Sequence, residues 1–495
     1  MTEPRRRSVR PSPSRPTAVP EVSPSPAERA ARLRELARSG PVTDPSPLLR
    51  ALSDPVAGVR ETAAVAIGLL KDPRGCAALT ASLGDPDERV RAAVVEALSS
   101  IGRRENAADL ERLLDDPEPV VRERVARALA RIAPSRSVGA LVAHGSDPIP
   151  AVRWAVAAAL GRIGTEEALR ALEGFLTDPW DRVRREAVLA LGGAGGSARL
   201  DRVRPFLNDP ARRVRAAAAT VVGRHHDRAS VPRLLEMVAR PESWEKPSVL
   251  VALGRIGDSR AVPAIVEASR DAAPWVRVCA IHALGEMRAP EGRAVARALL
   301  ADPQGSVRGA AAIALGSVGS ADDVGPLRRL LDDPHPWPRR GAAYALGLLG
   351  GVAAAPRLRE ALRDPAAEVR LAAVWALGRL GDDGAWEELV RLLHYAQTMS
   401  PIPPGAPDAG ASLATDAETR LFDAVVQALG RLASMVPEPL AHRVLADARS
   451  RLSEDELDRR ARLPLPEVEF EREPPTVRTL FETALLHATG DEESG

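Results

Sequence analysis

Aromatic residues are scarce in this 495-residue chain, at 3%, and cysteine and lysine are nearly absent. Two cysteines, Cys76 and Cys279, exclude a disulfide-stapled secreted scaffold. Of the 68 basic residues only Lys71 and Lys246 are lysines, a bias that reads as genome-wide codon usage and lowers the weight of arginine runs as nucleic-acid signals. An excess of either charge is missing too, since 68 Lys and Arg face 67 Asp and Glu; this argues against a dedicated nucleic-acid or membrane-surface binder. No apolar run approaches the roughly 18–20 residues that span a bilayer. What is present is a 45% apolar complement, chiefly Ala, Val and Leu, from which a large α/β enzyme is not expected.

Those small apolar residues recur with a fixed period. Asp-Pro stands at Asp54, Asp85, Asp116, Asp147, Asp178 and Asp209, and the same phase continues at Arg240, Asp271, Asp302, Asp333 and Asp364. Every step is 31 residues, so eleven units cover 54–394 without an insertion or deletion. With the Asp counted as position 0, Val is usual at +5, Arg at +6, small residues at +9 and +12, and Leu at +13. This apolar set has helical spacing, and a Gly at +14 or +17 follows it. A second helix runs to the next Asp-Pro, with apolar residues such as Leu110, Leu113 and Leu114. Each unit is a helical hairpin too small to bury its own apolar face, so neighbours stack.

The D-P-x3-V-R…A-L-G pattern resembles the HEAT-like repeats of the phycobilin-lyase type. The resemblance implies an all-α, right-handed α-solenoid, with an Asp/Arg ladder between adjacent hairpins and first helices lining a concave face. It says little about activity, because the repeated residues are architectural. Unit seven departs from the pattern: Arg240 replaces Asp, Lys246 replaces Arg and Pro247 follows. Two cations in place of an opposite-charge pair predict a missing rung and a local kink or hinge.

The ends differ from the array. Residues 1–26 are Pro-, Ser- and Arg-rich and are expected to be disordered; Arg5–Arg7 lack the apolar segment that an export signal needs, which suggests a cytoplasmic protein. Residues 27–53 are read as an N-terminal capping helix and its connection. Residues 395–437 are read as a twelfth unit, Leu421–Leu432 being its first helix, interrupted by a Pro/Gly/Ala loop at about 398–416. Residues 438–495 are assigned to capping helices (439–452, 453–462 and 476–487), the acidic stretch Pro464–Pro475 and an acidic tail.

Catalytic constellations are absent: no Gly-rich phosphate loop, no G-x-S-x-G and no C-x-x-C. His225–His226–Asp227 is the only histidine cluster and is read as a surface turn. The deoxyhypusine hydroxylases, HEAT-like enzymes, hold iron through His-Glu dipeptides, and this chain has none. No cofactor or metal is expected, and Cys76 and Cys279 are taken as small core residues.

Function is therefore sought where units differ at fixed phase. Position +11 reads Val65, Glu96, Arg127, Ala158, Leu189, Thr220, Val251, His282, Ile313, Tyr344 and Trp375. Position +4 supplies Trp244, Trp275 and Trp337, while Trp154 stands at +7 and Trp180 at +2. Trp244, Trp275, His282, Ile313, Trp337, Tyr344 and Trp375 thus mark a candidate partner-binding stripe in units seven to eleven. Packing between units competes with that reading, and Trp386 is assigned to packing. Arg182, Arg185, Arg212 and Arg213 form a secondary basic patch on units five and six, suited to an acidic peptide or a phosphate if it is more than a solvated face. The leading expectation is a non-enzymatic scaffold or adaptor for a protein partner; the rivals are a bilin lyase and a nucleic-acid binder.

Overall fold

The computed structural model describes residues 24–399 except 39, 41–42, 133–134 and 241–243, with backbone only from 393 to 399, and beyond them 424, 425, 428, 429 and 432. All regular structure among the described residues is helical. The chain divides into two compact bodies, Met1–Phe175 and Leu176–Gly495, and the division falls between the second helix of unit four and the Asp-Pro of unit five.

Apart from unit seven, each unit starts the same way. The Asp at position 0 accepts the amide two residues on, as Asp85 does from Asp87 at 3.0 Å and Asp147 from Ile149 at 2.8 Å. This turn delivers the chain into a long first helix, Glu88–Ile101 or Pro150–Ile163. The helix ends where position +17 turns left-handed, at Gly102 (φ 78°) and Gly164 (φ 65°), but also at Lys71, His226 and Arg288 (φ 50–51°). A short 3-10 turn and a shorter second helix follow, such as Ser259–Ala261 and Val262–Ala268.

Stacking within each body joins first helix to first helix. The Leu at +13 is fully buried in unit after unit, including Leu98, Leu160, Leu253, Leu284 and Leu377. Burial of each stabilises the stack by about 1.5–3 kcal/mol. The Gly at +14 allows the close approach: a Cβ on Gly223 would lie 2.7 Å from Cα of Ala252, and one on Gly254 would lie 2.8 Å from Cα of Ala283.

The ladder joins the Arg at +6 to the Asp of the following unit. Arg60 meets Asp85, Arg91 meets Asp116 and Arg122 meets Asp147, each at 2.7 Å; Arg277, Arg308 and Arg339 meet Asp302, Asp333 and Asp364 at 2.7–2.8 Å. Each guanidinium donates through both Nε and Nη2 to the carboxylate and through Nη1 to the carbonyl of its own unit's Asp, as Arg91 does to Asp116 and to Asp85. These are bidentate, charge-assisted pairs, and most are largely shielded from water.

Unit seven corrects the sequence reading. Its rung is present, because Glu245 takes the place of the missing Asp: Arg215 meets Glu245 at 2.7 Å, and Lys246 meets Asp271 at 2.8 Å. The longer Glu side chain, five residues further on, carries its carboxylate to the rung, and the first helix starts late, at Lys246. That helix packs on the first helices of units six and eight, so the stack does not open there as the sequence suggested.

At the N-terminus, two helices, Pro26–Arg38 and Ser46–Ala51, form a hairpin in register with the repeat. Arg29 donates to Asp54 at 2.8 Å, a rung from a hairpin that no Asp-Pro opens. At the other end the last helix of unit eleven runs to Met399, past the expected loop start at 398. Ala424, Val425, Ala428, Leu429 and Leu432 are helical and buried, and a Cβ on Gly378 would lie 3.0 Å from that of Ala428. Ala428 therefore lies against the first helix of unit eleven. The expected tail 1–23, most of the 398–416 loop and the elements assigned to 438–495 lie outside the described residues.

Candidate interaction face

The candidate stripe lies on the first helices of the second body, except Trp244, which stands two residues before its helix starts at Lys246. Of its seven residues, Trp275 is 47% exposed, Trp244, His282, Ile313, Trp337 and Tyr344 are half-buried, and Trp375 is buried. The first helices position them because +4 and +11 are two turns apart on one side of the helix, beside the Val+5, Leu+13 core stripe.

The rings interlock with neighbours. Tyr344 and Trp375, at +11 of consecutive units, stack with centroids 4.6 Å apart at 26°. Arg379 lies 5.6 Å over Trp375, Arg340 lies 4.7 Å over Trp337, and Arg212 of unit six lies 5.1 Å over Trp244 of unit seven. Arg182 covers Trp180 at 5.5 Å, and in the first body Arg127 covers Trp154 at 5.0 Å. The stripe is thus alternately aromatic and cationic, where the sequence suggested a plainly apolar groove. Arg340 is itself buried, and the loss of water pulls its guanidinium down to about 10, with the Glu368 carboxylate opposing. Trp386 is buried, as assigned, at the start of a second helix.

In the basic patch, Arg182 and Arg212 are exposed, and Arg185 and Arg213 are half-buried. Among the described residues none of the four makes an ion pair with a carboxylate.

The His225–His226–Asp227 turn is a structural clasp. His225 Nε2 donates to the carbonyl of Gly192 in unit five at 2.6 Å, and His226 Nδ1 donates to that of Arg255 in unit seven. Asp227 accepts from Arg204 at 2.8 Å and from Ser230 at 2.6 Å. No cluster able to hold a metal occurs among the described residues. Cys279 is buried in the first helix of unit eight, and burial pushes its thiol up to about 12; Cys76 is half-buried.

A second set of rungs escaped sequence reading. It links position +26 of one unit to the 3-10 turn of the next: Thr80 accepts from Asn106 at 3.0 Å, Glu111 from Ser137 at 3.0 Å, and Arg204 donates to Asp227. Arg359 approaches Asp382 at 3.2 Å, and Arg293 and Arg297 converge on the buried Asp323. The residue types change from rung to rung, so no consensus betrays them; only the fixed offset could have.

Comparison with known proteins follows the geometry. The family profile described as HEAT repeats matches eight overlapping segments, 21–99, 45–118, 106–192, 176–246, 200–277, 248–316, 265–347 and 326–398. A sequence search of curated proteins returns no match. Among solved structures, importin beta is similar with a TM-score of 0.54 at 16% identity, over 87% of this chain and 69% of that one. Kap95p from its complex with RanGDP gives 0.54 at 13%, over 85% and 69%. Kap95 from the Kap95:Nup1 complex gives 0.51 at 16%, over 89% and 65%, so this chain spans slightly under two thirds of that protein. At such identities the likeness concerns the fold alone. Among the described residues no helix is long and apolar enough to cross a membrane.

Proposed function

The chain belongs to the HEAT-repeat family, and from that premise we propose that it is a non-enzymatic scaffold that holds a protein partner on the first-helix face of units seven to eleven. The observation that carries this reading is Trp275, exposed to 47% in a row whose other members are half-buried or, at Trp375, buried. A large exposed ring on the same helix as His282, with Ile313 on the next unit's first helix, has the character of an interface anchor. Arginines stacked on Trp244 and Trp337 extend the surface with groups enriched at protein interfaces. Support of a general kind comes from two solenoids of similar fold, solved in complexes with RanGDP and Nup1. The free thiols Cys76 and Cys279 suit a reducing compartment, and we place the protein in the cytoplasm.

The test is affinity purification from the native cell, comparing the natural chain with Trp275→Ala. Because Trp275 is half-exposed, the variant should unfold at an unchanged temperature. Recovery of the specific partner should fall about 30-fold, the effect of losing an anchor worth about 2 kcal/mol. An identical set of co-purifying proteins at equal yield would overturn the proposal.

A further inference from the structure

The arginine at +6 of the first helices of units five and six is committed to a rung, but four others on these two helices are not. Arg182 and Arg185 rise from the first helix of unit five (Asp181–Ala194), and Arg212 and Arg213 from that of unit six (Arg212–Arg224). None of them has a carboxylate or hydrogen-bond partner among the described residues, although Asp181 and Glu186 stand on the same helix. Two are held in place without being neutralised: Arg182 lies over Trp180 and Arg212 over Trp244. Stacking fixes the plane of a guanidinium while its N–H donors stay directed outward at the ring's edge. The result is an oriented set of cationic donors on two adjacent helices, which pack about 8–10 Å apart.

The complementary charge exists in the same chain. Residues 464–495 carry eight acidic and two basic residues. Within them Glu467, Glu469, Glu471 and Glu473 occupy every second position, bounded by Pro466 and Pro474. In an extended segment alternate side chains share one face at roughly 6.6–7 Å intervals, so two or three of the carboxylates span the two arginine-bearing helices. The reach suffices: of the 35 residues from Leu432 to Glu467, 24 fall in the expected helices 439–452 and 453–462 at about 1.5 Å each, and with the remainder extended the span is up to about 70 Å, against about 50–60 Å for six helix steps from unit twelve to unit six.

We propose that the acidic segment Glu467–Glu473 docks on Arg182, Arg185, Arg212 and Arg213 of its own chain and so covers one end of the first-helix face. The proposal rests on that face being a binding surface, but it concerns different units and needs no external partner. A tethered segment has a local concentration of the order of millimolar, so an external acidic ligand must compete with it.

The experiment uses the full chain carrying Cys76→Ala, with spin labels at Gly193→Cys and Thr476→Cys. Gly193 is exposed, and a Cβ there meets nothing within 4 Å; buried Cys279 should not label. Docking predicts a narrow distance distribution below about 30 Å, given roughly 12 Å along the helix from Arg185 to Gly193. Arg185→Glu with Arg213→Glu should broaden and lengthen it, and adding Glu469→Arg with Glu471→Arg should restore it. Salt at 0.5 M should broaden it as well, whereas tenfold dilution with unlabelled chain should not. A broad distribution in the parent, a narrow one that survives charge reversal, or one lost on dilution would each overturn the proposal. The readout contains no partner protein, so it stands or falls separately from the Trp275 test.

Discussion

At the scale of single residues, the repeat is held by three demands that the sequence meets unevenly. The first is the left-handed turn at +17, filled by glycine in units two, four, seven, ten and eleven but by Lys71, His226 and Arg288 in units one, six and eight. An L-residue in that conformation costs about 1–2 kcal/mol. Arg288→Gly is therefore expected to stabilise the protein by about 0.5–1 kcal/mol in denaturant unfolding, after the entropy that glycine adds to the unfolded chain; a destabilised variant would contradict the assignment. The second is the missing Cβ at +14. Gly223→Val would drive its side chain into the backbone of Ala252 and should cost about 1–3 kcal/mol or more by the same measurement. The third is aromatic support. Trp375 is buried behind Tyr344, so Trp375→Ala should cost about 3–5 kcal/mol, in contrast to the neutral Trp275→Ala.

At the scale of the element, the rung is the unit of connection, and unit seven shows what it requires. The ladder needs a carboxylate at one point in space, not an aspartate at one point in sequence. Glu245 satisfies this from +5, where its side chain is 2% exposed. Glu245→Ala would leave the Arg215 guanidinium facing a buried vacancy and is expected to destabilise by about 3–5 kcal/mol. Arg240→Ala, at an exposed position, should stay within about 0.5 kcal/mol. Thermal unfolding of the two variants side by side checks the exchange of roles; equal, small effects would mean that the rung is dispensable there.

At the scale of the whole molecule, the ladders couple stability to pH. Burial pushes the carboxyls of Asp85, Asp147, Asp333 and Asp364 up, but the paired guanidinium and the backbone amide pull them down further, so each ends below its ordinary value. A carboxyl depressed in the folded state contributes stability above its unfolded pKa, about 3.9. That contribution is lost as pH falls through the folded value. The unfolding temperature should accordingly be nearly flat from pH 8 to about 5 and drop steeply below about 4. Because every hairpin leans on its neighbours, the losses should add along the array. A midpoint that instead fell near pH 6–7 would point to histidine, not to the rungs.

The sequence by itself determined the period, the hairpin and the principal ladder, because stacking identical units repeats the same contacts and a repeated contact leaves a repeated letter. Asp at 0, Arg at +6, Leu at +13 and Gly at +14 were legible for that reason. Tertiary structure alone decided the rest, where the same contact is made by different letters. Glu245 standing in for an aspartate and the Thr80–Asn106 to Arg359–Asp382 series depend on where side chains end, not where they begin. The candidate stripe divided in the same way. Its positions followed from helical phase, but which tryptophan is open and which is covered depends on the arginine that a neighbouring turn or unit lays over it, and this left Trp275 exposed and Trp375 buried.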